Sequence, residues 1–186
     1  MIGYAFCGSF CTHAKALTEL ERLLDSGFEV QPIMSEAVWQ TDTRFGTAEA
    51  LRRRVERLCA REVIHTIVDA EPLGPALPLE ALILSPCTGN TLAKIANGIT
   101  DTTVCMAAKA HLRSDRPLVI SLASNDALSA NLRNIATLLS RKQVYFVPMH
   151  QDDPEKKPHS LVADFSLLQP TLRAAFDGRQ FRRLFL

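Results

Sequence analysis

The chain has 186 residues, and its 21 lysines and arginines almost cancel 20 aspartates and glutamates. That length suits one domain with its own core, and the balanced charge offers no field to gather nucleic acid or anionic lipid. No apolar stretch approaches the ~20 residues of a membrane span, and Met1-Ile2-Gly3 runs straight into a strand rather than a secretory leader.

In chain order, Ile2 to Cys7 reads as a short apolar strand, 8–12 as a turn and 13–26 as an amphipathic helix. That helix carries Ala14, Leu17, Leu20 and Leu24 on one stripe and ends at Gly27. A strand follows at 28–34, a helix at 47–60 and a short strand at 63–68. EPLGPALP (71–78) is a Pro/Gly loop. Strand 80–85 leads into a polar loop and a helix at 91–97. After it come helix 102–113, the apolar strand 118–122, helix 126–140 and strand 144–148. HQDDPEKKPHS (150–160) reads as an exposed loop before a last helix at 164–177. Strands alternating with helices predict an α/β fold, with a parallel sheet between helical layers and residues 1–186 as one domain.

Five cysteines stand at irregular positions (Cys7, Cys11, Cys59, Cys87, Cys105). A disulfide framework or zinc ribbon is not expected, no metal site is expected, and a reducing cytoplasm suits them. Cys7 and Cys11 read as packing residues. Arg52, Arg53, Arg54, Arg57 and Arg61 recur at helical spacing and read as a solvated face.

The most informative segment is LILSPCTGNTLAKIANGITD, residues 82–101. An apolar run stops at Ser85-Pro86, small polar residues follow (Cys87, Thr88, Gly89, Asn90, Thr91), and a helix opens. In α/β proteins a strand, a tight polar loop and a helix N-terminus together receive anions or ligands. Pro86 fixes the exit from the strand, and Gly89 admits close backbone approach. Thr88, Asn90 and Thr91 supply hydroxyls and an amide. The same loop read without a ligand is an ordinary capped helix start. Two further polar turns follow strands: Gly8-Ser9-Phe10 and Ser35.

PCTGNTLAKIANGITD resembles the signature of the flavoprotein superfamily that includes flavin-dependent cysteine decarboxylases and UbiX-type flavin prenyltransferases. That resemblance implies a Rossmann-like (flavodoxin-like) sheet binding FMN. Gly8, Ser9 and Phe10 then stand where the family's G-x-[ST] turn meets the flavin phosphate and ribityl chain. Ser35 stands in its M-[ST]-x-x-A motif (Met34, Ser35, Ala37), and Pro86, Thr88, Gly89, Asn90 and Thr91 in the loop along the flavin. The departures are specific. No histidine lies between 35 and 64, ASNDAL (123–128) replaces the decarboxylases' P-x-M-N-x-x-M, and the prenyltransferases' R-E-T-P arginine is absent. Decarboxylation and prenyl transfer are therefore disfavoured.

A narrower resemblance, carried by GSFCTHAKAL, PIMSEAVWQTDTRFG, SNDALSANLRNIATLL and QDDPEKKPHSLVAD, is to the family of dipicolinate synthase B subunits. It implies a sporulation enzyme in the cytoplasm of the mother cell, working with an A subunit that carries NADP. The pair would oxidise a dihydrodipicolinate-type precursor to pyridine-2,6-dicarboxylate. A homo-oligomer is also expected. Rival readings are a freestanding FMN-dependent decarboxylase or prenyltransferase, and a non-catalytic partner that stabilises the A subunit.

Candidate catalytic residues are Asn90, Cys87 and Asp126. A thiol at a helix start could be an activated nucleophile, although a loop-shaping role is the plainer account. Asn125-Asp126 either caps the 126–140 helix or faces the pocket. Arg44, within QTDTRFG, and Asn125 are the candidates for the dicarboxylate, since arginine suits carboxylates. Lys109, His111 and Arg113 come next. His13 could donate to an anion or be a surface residue, and His65 reads as a core histidine. Phosphate held by backbone donors and hydroxyls requires no lysine, and none is expected at the site.

Overall fold

The computed structural model describes residues 1–74 and 76–186; Pro75, inside the predicted 71–78 loop, lies outside the described residues. Strand β1 (Ile2–Phe6) lies between β2 (Val30–Met34) and β3 (Leu82–Cys87), and β4 (Leu118–Ser124) joins β3 to β5 (Val144–Phe146). These pairings are all parallel and give the order β2-β1-β3-β4-β5. The chain reverses its direction of winding between β1 and β3, the place where doubly wound sheets open a crevice beyond the strands' carboxyl ends.

Two apolar layers cover the sheet, as strand alternation demands. Ile2, Tyr4 and Phe6 pack on one side with α1 (His13–Asp25), α3 (Ala48–Cys59) and α8 (Leu168–Phe176). Ala5, Cys7, Leu82, Leu84 and Ile120 pack on the other with α5 (Gly89–Ala96), α6 (Thr103–Leu112) and α7 (Leu132–Leu139). Every residue of β4 is buried, so its sequence is mostly apolar, broken only by Ser121 and Ser124, rather than alternating. Gly27 closes α1 at φ +85°, the left-handed conformation a helix C-terminus favours.

Four local expectations change. A short helix α2 (Glu36–Gln40) follows β2, capped by the Ser35 hydroxyl, which accepts from Val38 N at 3.5 Å. The predicted strand 63–68 makes only the Ile33–Ile64 bridge before Thr66 caps the one-turn helix α4 (Ile67–Ala70), accepting from Asp69 N at 3.1 Å. The predicted helix 126–140 begins at Leu132, because the Asp126 carbonyl takes the N–H groups of Ser129 and Asn131 at 3.1 Å each and bends the chain into turns. The loop 150–160 is flanked by two short strands, β6 (Met149–His150) and β7 (Leu161–Ala163). Strand β7 runs antiparallel to the end of β4, pairing Ser124 with Leu161. This excursion folds back over the carboxyl end of the sheet.

Candidate functional site

A cleft of about 940 Å³ opens beyond the carboxyl ends of β1, β3 and β4. The turn after β1 contributes Gly8, Ser9, Phe10, Cys11 and Thr12, and the start of α5 contributes Thr88, Gly89 and Asn90. The end of β4 adds Ala123, Ser124, Asn125 and Asp126. The fourth wall comes from α1 through Lys15 and from the β6–β7 excursion through Asp152, Lys157, Ser160 and Val162. Such a cavity is in the range that accepts a cofactor or a small substrate.

Local chemistry explains the turn after β1. Ser9 N donates to Cys7 O at 2.8 Å, and Thr12 Oγ1 donates to Ser9 O at 2.8 Å and reaches Ser9 Oγ at 3.2 Å. His13 is buried rather than on the surface. Its Nε2 donates to Cys7 O at 2.9 Å, and its ring packs against Phe6 and Phe10 with centroids 5.8 and 5.2 Å away. Burial holds its imidazole below the usual histidine range, opposed by the bond to Cys7. His13 is thus a neutral strut behind the turn.

At α5, Thr88 is the N-cap. Its hydroxyl accepts from Thr91 N at 3.2 Å and donates to Thr91 Oγ1 at 3.0 Å. Asn90 is exposed into the cleft, whereas Thr91 is buried. Gly89 has a structural reason of its own: a Cβ there would stand 2.4 Å from Ser124 Oγ, 2.6 Å from Asn131 Nδ2 and 2.8 Å from Asp126 Oδ1. Its missing side chain makes room for the β4–α7 turn rather than for a ligand.

That turn centres on Asp126. Ser124 Oγ donates to it, and Asn131 Nδ2 donates to both carboxylate oxygens at 2.9 Å. Asn134 orients Asn131 at 2.8 Å, and Asn97, on the far end of α5, reaches Asn134 at 3.3 Å. The Ser124 hydroxyl foremost, then the Asn131 amide, keeps the Asp126 carboxyl below its ordinary range. Asp126 does not cap α7. It is an ionised group locked at the cleft wall.

Several sequence candidates fall elsewhere. Pro86 and Cys87 are buried in β3, with Pro86 O accepting from Cys7 N at 3.1 Å. The Cys87 thiol is pushed well above the thiol range by donating to Cys7 and by its own burial. That opposes the activated nucleophile expected of a thiol at a helix start. Ser35 is buried and does not line the cleft: its N donates to Phe6 O at 3.0 Å and its hydroxyl caps α2. Arg44 is exposed, does not line the cleft, and lies over the Phe45 ring at 4.9 Å. Lys109 and Arg113 are exposed on and just beyond α6, away from the cleft, and His111 is buried, donating Nε2 to Pro117 O at 2.8 Å. His65 is half-buried and stacks on Trp39 at 3.6 Å, and Arg52 also lies over the indole at 4.4 Å. The remaining arginines of that group are solvent-facing, and Arg53, Arg54 and Arg61 pair with Glu49, Glu21 and Glu29.

Sequence reasoning missed the two lysines. Lys15 belongs to an otherwise ordinary polar helix face. Lys157 lies in a loop whose only signal is that QDDPEKKPHSLVAD is specific to the narrower resemblance.

A model of the family described as "Flavoprotein" matches residues 1–165. The chain belongs to the flavoprotein family. Within it, the chain is 43% identical over 181 residues to the dipicolinate synthase B subunit of Bacillus subtilis (strain 168), covering 97% of this chain and 90% of the relative. Among solved structures, the dipicolinate synthase B subunit from Bacillus halodurans C is 38% identical with a TM-score of 0.91, over 100% of this chain and 95% of that one. The FMN-dependent cysteine decarboxylase SpaF shares the fold at a TM-score of 0.67 and 23% identity, over 95% of this chain and 94% of its own. This flavoprotein therefore groups with the dipicolinate synthase B subunits. Among its described residues, no helix is long and apolar enough to cross a membrane.

Proposed function

We propose that this flavoprotein is the B subunit of a dipicolinate synthase, acting as one domain to bind FMN and the cyclic precursor. A separate A subunit would supply NADP, and the pair would oxidise a dihydrodipicolinate-type compound to dipicolinate in a sporulating cell. The observation that carries this reading is the identity to the Bacillus subtilis dipicolinate synthase B subunit over nearly the whole chain. The cleft supports it by joining the turn after β1 to the start of α5.

The residues fit a flavin mononucleotide. The Ser9 hydroxyl is the donor left uncommitted on one side, since Ser9 N and Thr12 Oγ1 are spent within the turn, and Thr88, Gly89 and Asn90 face it across the cleft. Ser9 would meet the phosphate, and Asn90 and Asn125 would face the ring and the substrate. When bound, FMN supplies reversible electron transfer. The chain's own part is to position both molecules and to keep Asp126 ionised beside them. The turn after β1 has no full G-x-G-x-x-G, so dinucleotide binding falls to the partner.

Visible absorbance after reconstitution with FMN is the direct test. Retained flavin bands, no calorimetric binding of NADP+ and dipicolinate formation only when the A subunit is present are expected. A chain that decarboxylates or prenylates by itself, or an A subunit that makes dipicolinate unaided, would reject the reading. Ser9→Asp is expected to weaken FMN by about 1–3 kcal/mol through repulsion and a lost donor.

A further inference from the structure

We propose that Lys15 and Lys157 form a carboxylate subsite at the cleft mouth, selecting a substrate with two carboxylates, and that Asp152 occupies Lys157 until such a substrate arrives. This rests on the reading above of a dicarboxylate substrate.

Both lysines line the cleft, from opposite parts of the chain. Lys157 Nζ is 2.7 Å from Asp152 Oδ2, and both partners remain partly open to solvent, at 54% and 30% exposure. Lys15 has no ion-pair partner among the described residues. The two carboxylates on the same walls differ in availability. Asp126 takes its bonds from Ser124 and Asn131 and makes no ion pair with either lysine among the described residues. Asp152 is held by Lys157, so an incoming carboxylate can replace it without leaving a buried charge unpaired. A lysine ammonium is a mobile point charge and suits such an exchange better than a guanidinium fork.

The excursion carrying Lys157 is ordered by its own bonds. Lys157 N donates to Asp153 O at 2.7 Å, Gln151 Nε2 to Pro158 O at 2.9 Å, and Leu128 N to His159 O at 2.9 Å. The last contact ties it to the Asp126 turn. The backbone beneath Lys157 is thus set in place while its side chain is free to change partner.

The test uses calorimetry of the FMN-reconstituted chain with pyridine-2,6-dicarboxylate and pyridine-2-carboxylate as probes. Lys15→Gln and Lys157→Gln are expected to weaken the dicarboxylate by about threefold to tenfold and the monocarboxylate little, as befits partly exposed charges. Asp152→Asn is expected to strengthen it. A purely structural ion pair predicts the same effect from Asp152→Asn and Lys157→Gln, and that result would overturn the subsite. So would unchanged dicarboxylate affinity in all three variants, or lysine variants that lose FMN instead of the probe, which assigns the lysines to the flavin phosphate. If the wild-type chain binds FMN but neither probe, the substrate pocket is not on this chain, and both this subsite and that part of the parent reading fall.

Discussion

The Asn131 side-chain amide donates to both carboxylate oxygens of Asp126, each at 2.9 Å, and so ties the cleft wall to the first turn of the helix behind it. The bond closes a polar chain from Ser124 through Asp126, Asn131 and Asn134 to Asn97, the C-cap of α5. The two helices that frame the site are therefore joined by amides whose orientations fix one another. Removing one member leaves neighbours without partners in a half-buried setting, the costly case for hydrogen bonds.

Asp126 should make stability depend on acidity. Its folded value is depressed, so the unfolded chain binds the proton more readily. The contribution is present above the unfolded carboxyl value and is lost as pH falls through the folded one. Asp126→Asn is expected to lower stability at neutral pH and to flatten the acid limb of urea-denaturation midpoints. Parallel acid limbs for variant and wild type would remove Asp126 from this role.

The two glycines of the cleft should respond differently to alanine. At Gly89 the new Cβ collides with Ser124, Asn131 and Asp126 at 2.4–2.8 Å, so about 1–3 kcal/mol of destabilisation and weaker FMN retention are expected. At Gly8 the nearest atoms are Phe10 and Ala37 at 3.6 and 3.7 Å, ordinary contact distances, and stability should change by less than about 1 kcal/mol. Chemical denaturation of both variants measures the contrast.

His13 should titrate below the free imidazole, since burial disfavours its charged form. Its contribution to stability is complete above the unfolded histidine value of 6.5 and declines as pH falls from there through the folded value. His13→Ala removes the donor to Cys7 O and the packing against Phe10, and is expected to cost about 1–3 kcal/mol. An NMR titration midpoint at or above the free value would contradict the burial argument.

Arg44→Ala should leave FMN and dipicolinate affinity unchanged and shift stability by no more than about 0.5 kcal/mol, because the side chain is exposed over Phe45 and outside the cleft. A tenfold loss of dipicolinate binding on calorimetry would restore Arg44 to the site.

The sequence by itself determined the β-α alternation, the buried apolar runs of the central strands and the polar loops that follow β1, β2 and β3. These are matters of local periodicity and turn chemistry, readable over a few neighbouring residues. Gly8, Ser9, Phe10, Thr88, Gly89, Asn90, Asn125 and Asp126 could be placed at one end of a parallel sheet on that basis, and they line one cleft. Tertiary structure alone decided the rest. Whether residues 126–131 become helix or turn depends on an aspartate bound by an asparagine across the bend. Whether 63–68 extends the sheet depends on a threonine cap that turns the chain after a single bridge. Whether Lys157 joins Lys15 at the cleft depends on an excursion that leaves the sheet after β5 and returns to pair with the end of β4. Local pattern gives a charged side chain its secondary structure but not its surroundings, so Arg44 looked suited to a carboxylate and stands outside the cleft, while Lys15 and Lys157, distant in sequence, both line it.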